Sequence, residues 1–352
     1  MTLWEETLSS LDIQRKTKEL AGISPDAIPY DQLMRDQQPV ILKGVARQWP
    51  LVQKGLQSLD AAMDHIASFY GGRPVVEYRS APEEGGRYFY TEAVDGFNFE
   101  RDRVPLPDFF DRVRETARSS DGRSFYIGST DLDNFFPGMR DENDLVLNDP
   151  MFDAHKPMVS IWMGNHTIAS AHYDMSNNLA CCMVGKRRFT LFPPEQVANL
   201  YPGPLEPTPG GQVVSMVDFR DPDLSRYPRF AEAMAAGEVA ELEPGDVLFY
   251  PALWWHNVEG IGDFTAMINY WWNTSPAFMD TPQNTLLHAI LSLRDRPEPE
   301  KQAWKALFDY YIFGSSKQPA AHLPEAAQGN LGPLDEVKAR RLRALLLNKL
   351  NR

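Results

Sequence analysis

The sequence predicts a mainly β protein, an antiparallel barrel or jelly roll with an α/β part before it and helices after it. Three observations predict this. Residues 158–272 break into many short apolar runs punctuated by Gly and Pro. Before residue 120, strand-like and helix-like patterns alternate. After Asn273 the periodicity becomes helical.

Residues 1 to about 30 read as helix and entry loop. Pro39-Val40-Ile41-Leu42-Lys43-Gly44 reads as a buried strand closed by Gly. Ser58 is placed to cap a helix over 59–70, which Gly71 and Gly72 end. Arg73 to Tyr78 is the next strand. A short helix follows near 106–118, then a strand at Ser124 to Ser129. Strands are expected at 158–163, 167–173, 179–184 and 188–192. A Pro-rich insertion covers 193–235. Strands resume at 246–250, 256–259 and 264–272. Thr281-Pro282 starts a helix reaching about Leu293. Others are expected over 299–313 and 333–350. Leu342, Leu345, Leu346 and Leu350 form one stripe on the last. That stripe is expected either to pack on the parent domain or to form a homodimer interface. The chain thus divides into an N-terminal α/β region (1–120), a jelly-roll core (121–275) and a C-terminal helical region (276–352).

The composition is that of a globular protein, with 43% hydrophobic and 24% charged residues among 352. No apolar run approaches a membrane span. Met1-Thr2-Leu3-Trp4-Glu5-Glu6 has no basic n-region or apolar h-region, which argues against a secretory signal. The two cysteines, Cys181 and Cys182, are adjacent, a poor geometry for a disulfide. They read as reduced thiols, and the expected location is cytoplasmic. A net charge of −13 disfavours nucleic acid and anionic membranes as partners.

The chemistry centres on Ser170-Ala171-His172-Tyr173-Asp174, read as a strand end. Side chains two apart on a strand share a face, so His172 and Asp174 converge and Tyr173 turns away. A metal needs a further ligand. His256, in Pro251-Ala252-Leu253-Trp254-Trp255-His256, follows the strand Asp246 to Tyr250 and is the best candidate. The other histidines (His65, His155, His166, His288, His322) show no such pairing. Two His and one carboxylate on one face of a metal form the facial triad of non-haem iron(II) oxygenases.

The chain also resembles the JmjC/cupin-like 2-oxoglutarate oxygenases. Within them it is most similar to the asparaginyl hydroxylase that inhibits hypoxia-inducible factor. Carrying the resemblance are His172-Tyr173-Asp174, Gly185-x-Arg187-Arg188, Leu191-Phe192-Pro193-Pro194-Glu195-Gln196, Leu200-Tyr201-Pro202, Val217-Asp218-Phe219, Pro244-Gly245-Asp246-Val247-Leu248, Trp254-Trp255-His256 and Asn269-Tyr270-Trp271. They keep their order across roughly 120–275. The resemblance implies a double-stranded β-helix core. It implies Fe(II) held by His172, Asp174 and His256, with 2-oxoglutarate as cosubstrate and O2 as oxidant. The family's lysine for the distal carboxylate falls on Arg187, with Lys186 the alternative if the register shifts. Tyr126 matches a hydroxyl donor to that carboxylate, beside the plainer reading of a core tyrosine. Asn178 and Asn269 match two cosubstrate-binding amides near the C1 carboxylate and the metal, and Trp271 an aromatic at the mouth of the site that meets substrate. The family's Thr three residues before the first His falls on Ala169, so that hydroxyl is missing. The residues with which the asparaginyl hydroxylase grips its substrate fall near Val213 and Val214, a departure bearing on substrate.

The expected function is hydroxylation or demethylation of a protein side chain or a small molecule. Two readings compete. One is a cupin using Zn or Mn for hydrolysis or isomerisation, and the other is a non-catalytic binding cupin.

Overall fold

The computed structural model describes residues 13–351. Of the expected opening helix and entry loop, residues 1–12 lie outside the described residues, and the described part forms a short strand, Lys18–Leu20, rather than a helix. The chain separates into two compact units, the first ending at Asn273 and the second being Thr274–Arg352.

The first unit is built on twelve strands: β1 (Lys18–Leu20), β2 (Val40–Leu42), β3 (Val75–Ser80), β4 (Arg87–Tyr88), β5 (Phe99–Val104), β6 (Ser124–Asp131), β7 (Met158–Gly164), β8 (Ile168–Tyr173), β9 (Asn177–Phe192), β10 (Glu238–Leu242), β11 (Val247–Tyr250) and β12 (Trp255–Trp272). The main path runs β1-β2-β11-β9-β12-β7-β6-β3-β5. β9 and β12 are long enough to serve two layers. The first half of β9 pairs with β11 and the second half with β10. The first half of β12 pairs with β8, the second half with β7. The result is a mainly β jelly-roll core with helices packed around it.

The expectation had split β9 and β12 into two short strands each. Glycine explains the difference. Gly185 sits inside β9 with φ +68°, and Gly262 inside β12 with φ +144°. Both are conformations that a residue with a Cβ avoids, so each strand turns a corner there without ending.

Three apolar layers follow from side-chain alternation. Ala180, Cys182, Leu248, Tyr250 and Met267 point into the jelly roll. Leu179, Cys181, Met183, Phe249 and Ile268 point out of it, where they meet the helices Pro50–Gln57, Leu59–Ser68 and Leu106–Ser119. Each cysteine is therefore buried and free, on opposite faces of one strand. A sheet covered on both sides reads as the continuous apolar run seen here. On the other layer, Ala171, Phe192 and Trp255 pack under Leu200, Val217 and Phe230 of the 193–235 insertion.

Ser58 caps its helix by accepting from the Ala61 amide. In the second unit Thr281 caps Pro282–Ser292, and Asp335 caps Glu336–Leu350. The middle helix, Glu298–Phe308, runs into a π-helical turn, Asp309–Phe313. Leu345, Leu346 and Leu350 are exposed. Among the described residues no helix is long and apolar enough to cross a membrane.

Asp246 holds the turn that leads into β11. Its carboxylate is buried and accepts from Lys43 Nζ, from the Gly44 amide at 2.9 Å and from the Glu243 amide at 3.0 Å. Asp246→Ala removes all three bonds at once. The donors left behind are partly or fully exposed and can be hydrated, so the loss is about 1–2 kcal/mol. Urea unfolding should show that loss. A loss below about 0.5 kcal/mol, the level of an ordinary surface substitution, contradicts this role.

Candidate metal centre and anion recess

Strand pairing builds the centre. In the β8–β12 ladder, His256 lies directly opposite His172. The imidazole centroids are 4.3 Å apart. Asp174 follows just past the end of β8. Its backbone is pinned where the Leu253 amide donates to the Asp174 carbonyl at 2.8 Å. Leu253 takes the left-handed φ of +66° that this tight turn requires. The Asp174 carboxylate comes within 3.6 Å of His256 Nε2. One donor atom from each of His172, Asp174 and His256 lies within 4.8 Å of the others.

The tautomers suit a metal. His172 Nδ1 lies 2.8 Å from the Ser170 carbonyl, and His256 Nδ1 lies 3.0 Å from the Trp254 carbonyl. A carbonyl only accepts, so each Nδ1 carries a proton and each Nε2 is the nitrogen left to face a metal. Burial, reinforced by His172, pushes the His256 imidazole down to about 4 against the pull of Asp174. It is therefore a neutral ligand at pH 7. The three residues fit a divalent ion with open positions.

Beside the centre lies a recess bordered by Arg187, Tyr126, Tyr250 and Asn269. Arg187 is 3% exposed. Its Nη2 reaches Thr265 Oγ1 at 3.5 Å, and its Nε has no partner. Burial lowers its pKa, and the groups that act against this are Cys182, Tyr126 and Tyr250, none of them a carboxylate. Guanidinium does not lose its proton in proteins. A buried cation without a protein counter-ion is costly, and a bidentate carboxylate would complete it.

Tyr126, Asn269 and Trp271 border this recess as well. Tyr126 and Trp271 border both the recess and a larger cavity of about 450 Å³ in front of His172 and Asp174. Asn178 borders neither and lies beside Asp174. Burial holds the Tyr126 hydroxyl protonated, far above its usual pKa. Asn178 is buried and donates to Asp174 Oδ2 at 3.4 Å, while Asn269 donates to Asn178 Oδ1 at 3.0 Å. Lys186 is not brought to the site. It is exposed and pairs with Glu243 at 2.8 Å, because adjacent strand residues face opposite ways.

Trp162, Tyr78 and Tyr88 also line the cavity, and the sequence reading did not single them out. The signal was available for Trp162. Period-two alternation along β7 puts Ser160, Trp162 and Gly164 on one face.

Comparison with known proteins agrees with this geometry. A family model described as a cupin-like domain matches residues 25–278. The lysine-specific demethylase JMJ31 of Arabidopsis thaliana is 26% identical over 276 residues, covering 69% of this chain and 48% of that protein. The tRNA wybutosine-synthesizing protein 5 of Danio rerio is 28% identical over 227 residues, covering 59% of this chain and 62% of that one. Lysine-specific demethylase 8 of Danio rerio is 26% identical over 242 residues, covering 67% and 53%. The chain spans about half the length of the curated relatives it matches.

Arg187→Met tests the recess. The thermal midpoint without ligand should stay or rise, since an uncompensated buried charge is removed. Added 2-oxoglutarate should raise the wild-type midpoint and leave the variant's unmoved. Equal ligand shifts in both proteins contradict the assignment.

Proposed function

Because the chain belongs to the cupin-like domain family, we propose that it is an iron(II)- and 2-oxoglutarate-dependent dioxygenase. The observation that carries this reading is Arg187, a buried cation that no carboxylate among the described residues neutralises, in a recess that shares its border with His172, Asp174 and His256.

In this reading His172, Asp174 and His256 hold the metal. Bound iron would supply oxygen activation coupled to the decarboxylation of 2-oxoglutarate to succinate. The chain's own residues do the rest. Arg187 takes the distal carboxylate of the cosubstrate, and the neutral Tyr126 hydroxyl offers it a further donor. Thr265 keeps the guanidinium in place from behind, itself anchored to the Gly164 carbonyl at 3.2 Å. Trp271 stands where the recess opens into the larger cavity. Apolar walls from Phe189, Val258 and Met267 keep water from the recess. No side chain is needed as acid or base.

The substrate is proposed to be a protein side chain first and a small molecule second, hydroxylated or demethylated. The cavity speaks against a phosphate-bearing substrate. Its walls include Tyr78, Tyr88, Phe99, Trp162 and Trp271, and among the described residues no Lys or Arg borders it. A phosphate-bearing end finds no cation there, and the net charge of −13 repels polyanions. Gln212 and Val214 of the insertion also wall the cavity, and the resemblance implies that the asparaginyl hydroxylase's substrate-gripping residues fall near Val213 and Val214. Val214 offers no polar group, so a different substrate is proposed.

Two assays test the proposal. His172→Ala and Asp174→Ala should abolish conversion of 2-oxoglutarate to succinate, with the circular dichroism spectrum unchanged; full turnover in either sinks the triad. An arrayed-peptide screen run beside metabolite and tRNA panels should give coupled turnover with peptides. Turnover confined to tRNA reverses the proposed substrate order.

A further inference from the structure

Two indole N–H groups end in the hydrogen bonds that hold Asp174. Trp162 Nε1 donates to Asn269 Oδ1 at 2.9 Å. Asn269 Nδ2 donates to Asn178 Oδ1 at 3.0 Å, and Trp271 Nε1 donates to the same oxygen. Asn178 Nδ2 then donates to the Ser176 carbonyl at 3.0 Å and to Asp174 Oδ2 at 3.4 Å. Asn178 and Asn269 are 0% and 1% exposed, so water offers no substitute partners.

An amide can occupy its site in two orientations, and the neighbours decide between them. An indole N–H only donates. Turning Asn269 over would set its NH2 against the Trp162 N–H and its oxygen against Asn178 Oδ1. Turning Asn178 over would set its NH2 against two donors and its oxygen against Ser176 O and the Asp174 carboxylate. In the observed sense Asn178 uses both hydrogens and both lone pairs. The polarity runs one way, from the two indoles through the two amides to the carboxylate.

We propose that Trp162 and Trp271 are positioning residues, whose donor-only N–H groups fix the amide orientation that presents an N–H to Asp174 and so aims that carboxylate at the metal. This rests on the reading of Asp174 as a metal ligand. Ring packing alone would be kept by phenylalanine, and the hydrogen bonds would not. Loss of such outer partners typically weakens metal binding about 10- to 100-fold.

The test uses Mn(II) alone as probe, titrated by electron paramagnetic resonance. Wild type, Asp174→Ala, Trp162→Phe, Trp271→Phe and the double Phe variant are compared. Wild type should bind, and Asp174→Ala should not. The double variant should bind at least about tenfold more weakly, with a changed line shape for the bound ion. Circular dichroism monitors the fold. Should the double variant fail to fold, the single variants carry the test, each with a weaker Kd and an altered line shape. Wild-type Kd and line shape in the folded Phe variants overturn the positioning role while leaving the metal site standing. Wild-type affinity in Asp174→Ala overturns the metal site itself, and this inference with it.

Discussion

The register of β8 against β12 is the constraint on which the site depends, because it sets His172 directly across from His256. A slip of one residue would turn one imidazole to the opposite face. The residues beside the ligands hold that register. Ala171 and Trp255 point the other way and are buried under the 193–235 insertion. Each ligand facing inward thus has an apolar neighbour anchored outward. The same insertion exchanges backbone bonds with β8, Ser215 N donating to the Ala171 carbonyl at 2.7 Å. It is a structural prop on one side and, through Pro209, Gln212 and Val214, a cavity wall on the other.

The second constraint is electrostatic. Arg187 is a buried cation facing neutral hydroxyls and a thiol, and beyond them lie an acidic group and two imidazoles of which one is held neutral. Such an arrangement lowers the stability of the empty protein and is tolerated where a ligand's charge completes it. The chain spends its polar burial here in pairs. Asn178 and Asn269 satisfy one another, and Thr265 bridges Arg187 to a backbone carbonyl.

Much of the site was legible because its signal is short-ranged. His172 and Asp174 lie two apart in a strand, and the strand at 247–250 delivers His256 after a tight turn. What the sequence hid was long-range or conformational. Whether Arg187 or Lys186 faces inward depends on a register that spacing does not reveal, and only Arg187 is buried. Gly185 and Gly262 looked like strand ends, since a glycine that ends a strand and one that bends it read alike. Tyr78 and Tyr88 belong to the cavity because β3 pairs with β6 and β4 with β8, contacts that local patterns do not encode. The stripe on the last helix was legible as amphipathic. Leu345, Leu346 and Leu350 are exposed and Leu342 is half-buried, so periodicity alone did not say where the stripe packs.

The account's central claim is tested most directly by anaerobic titration with Fe(II), with and without 2-oxoglutarate. The chelate of metal and cosubstrate should give a weak visible metal-to-ligand charge-transfer band. The account predicts a band that needs both components and is absent in Asp174→Ala. No band in the wild-type protein, with Zn or Mn held tightly instead, would contradict it and leave Arg187 to bind some other anion.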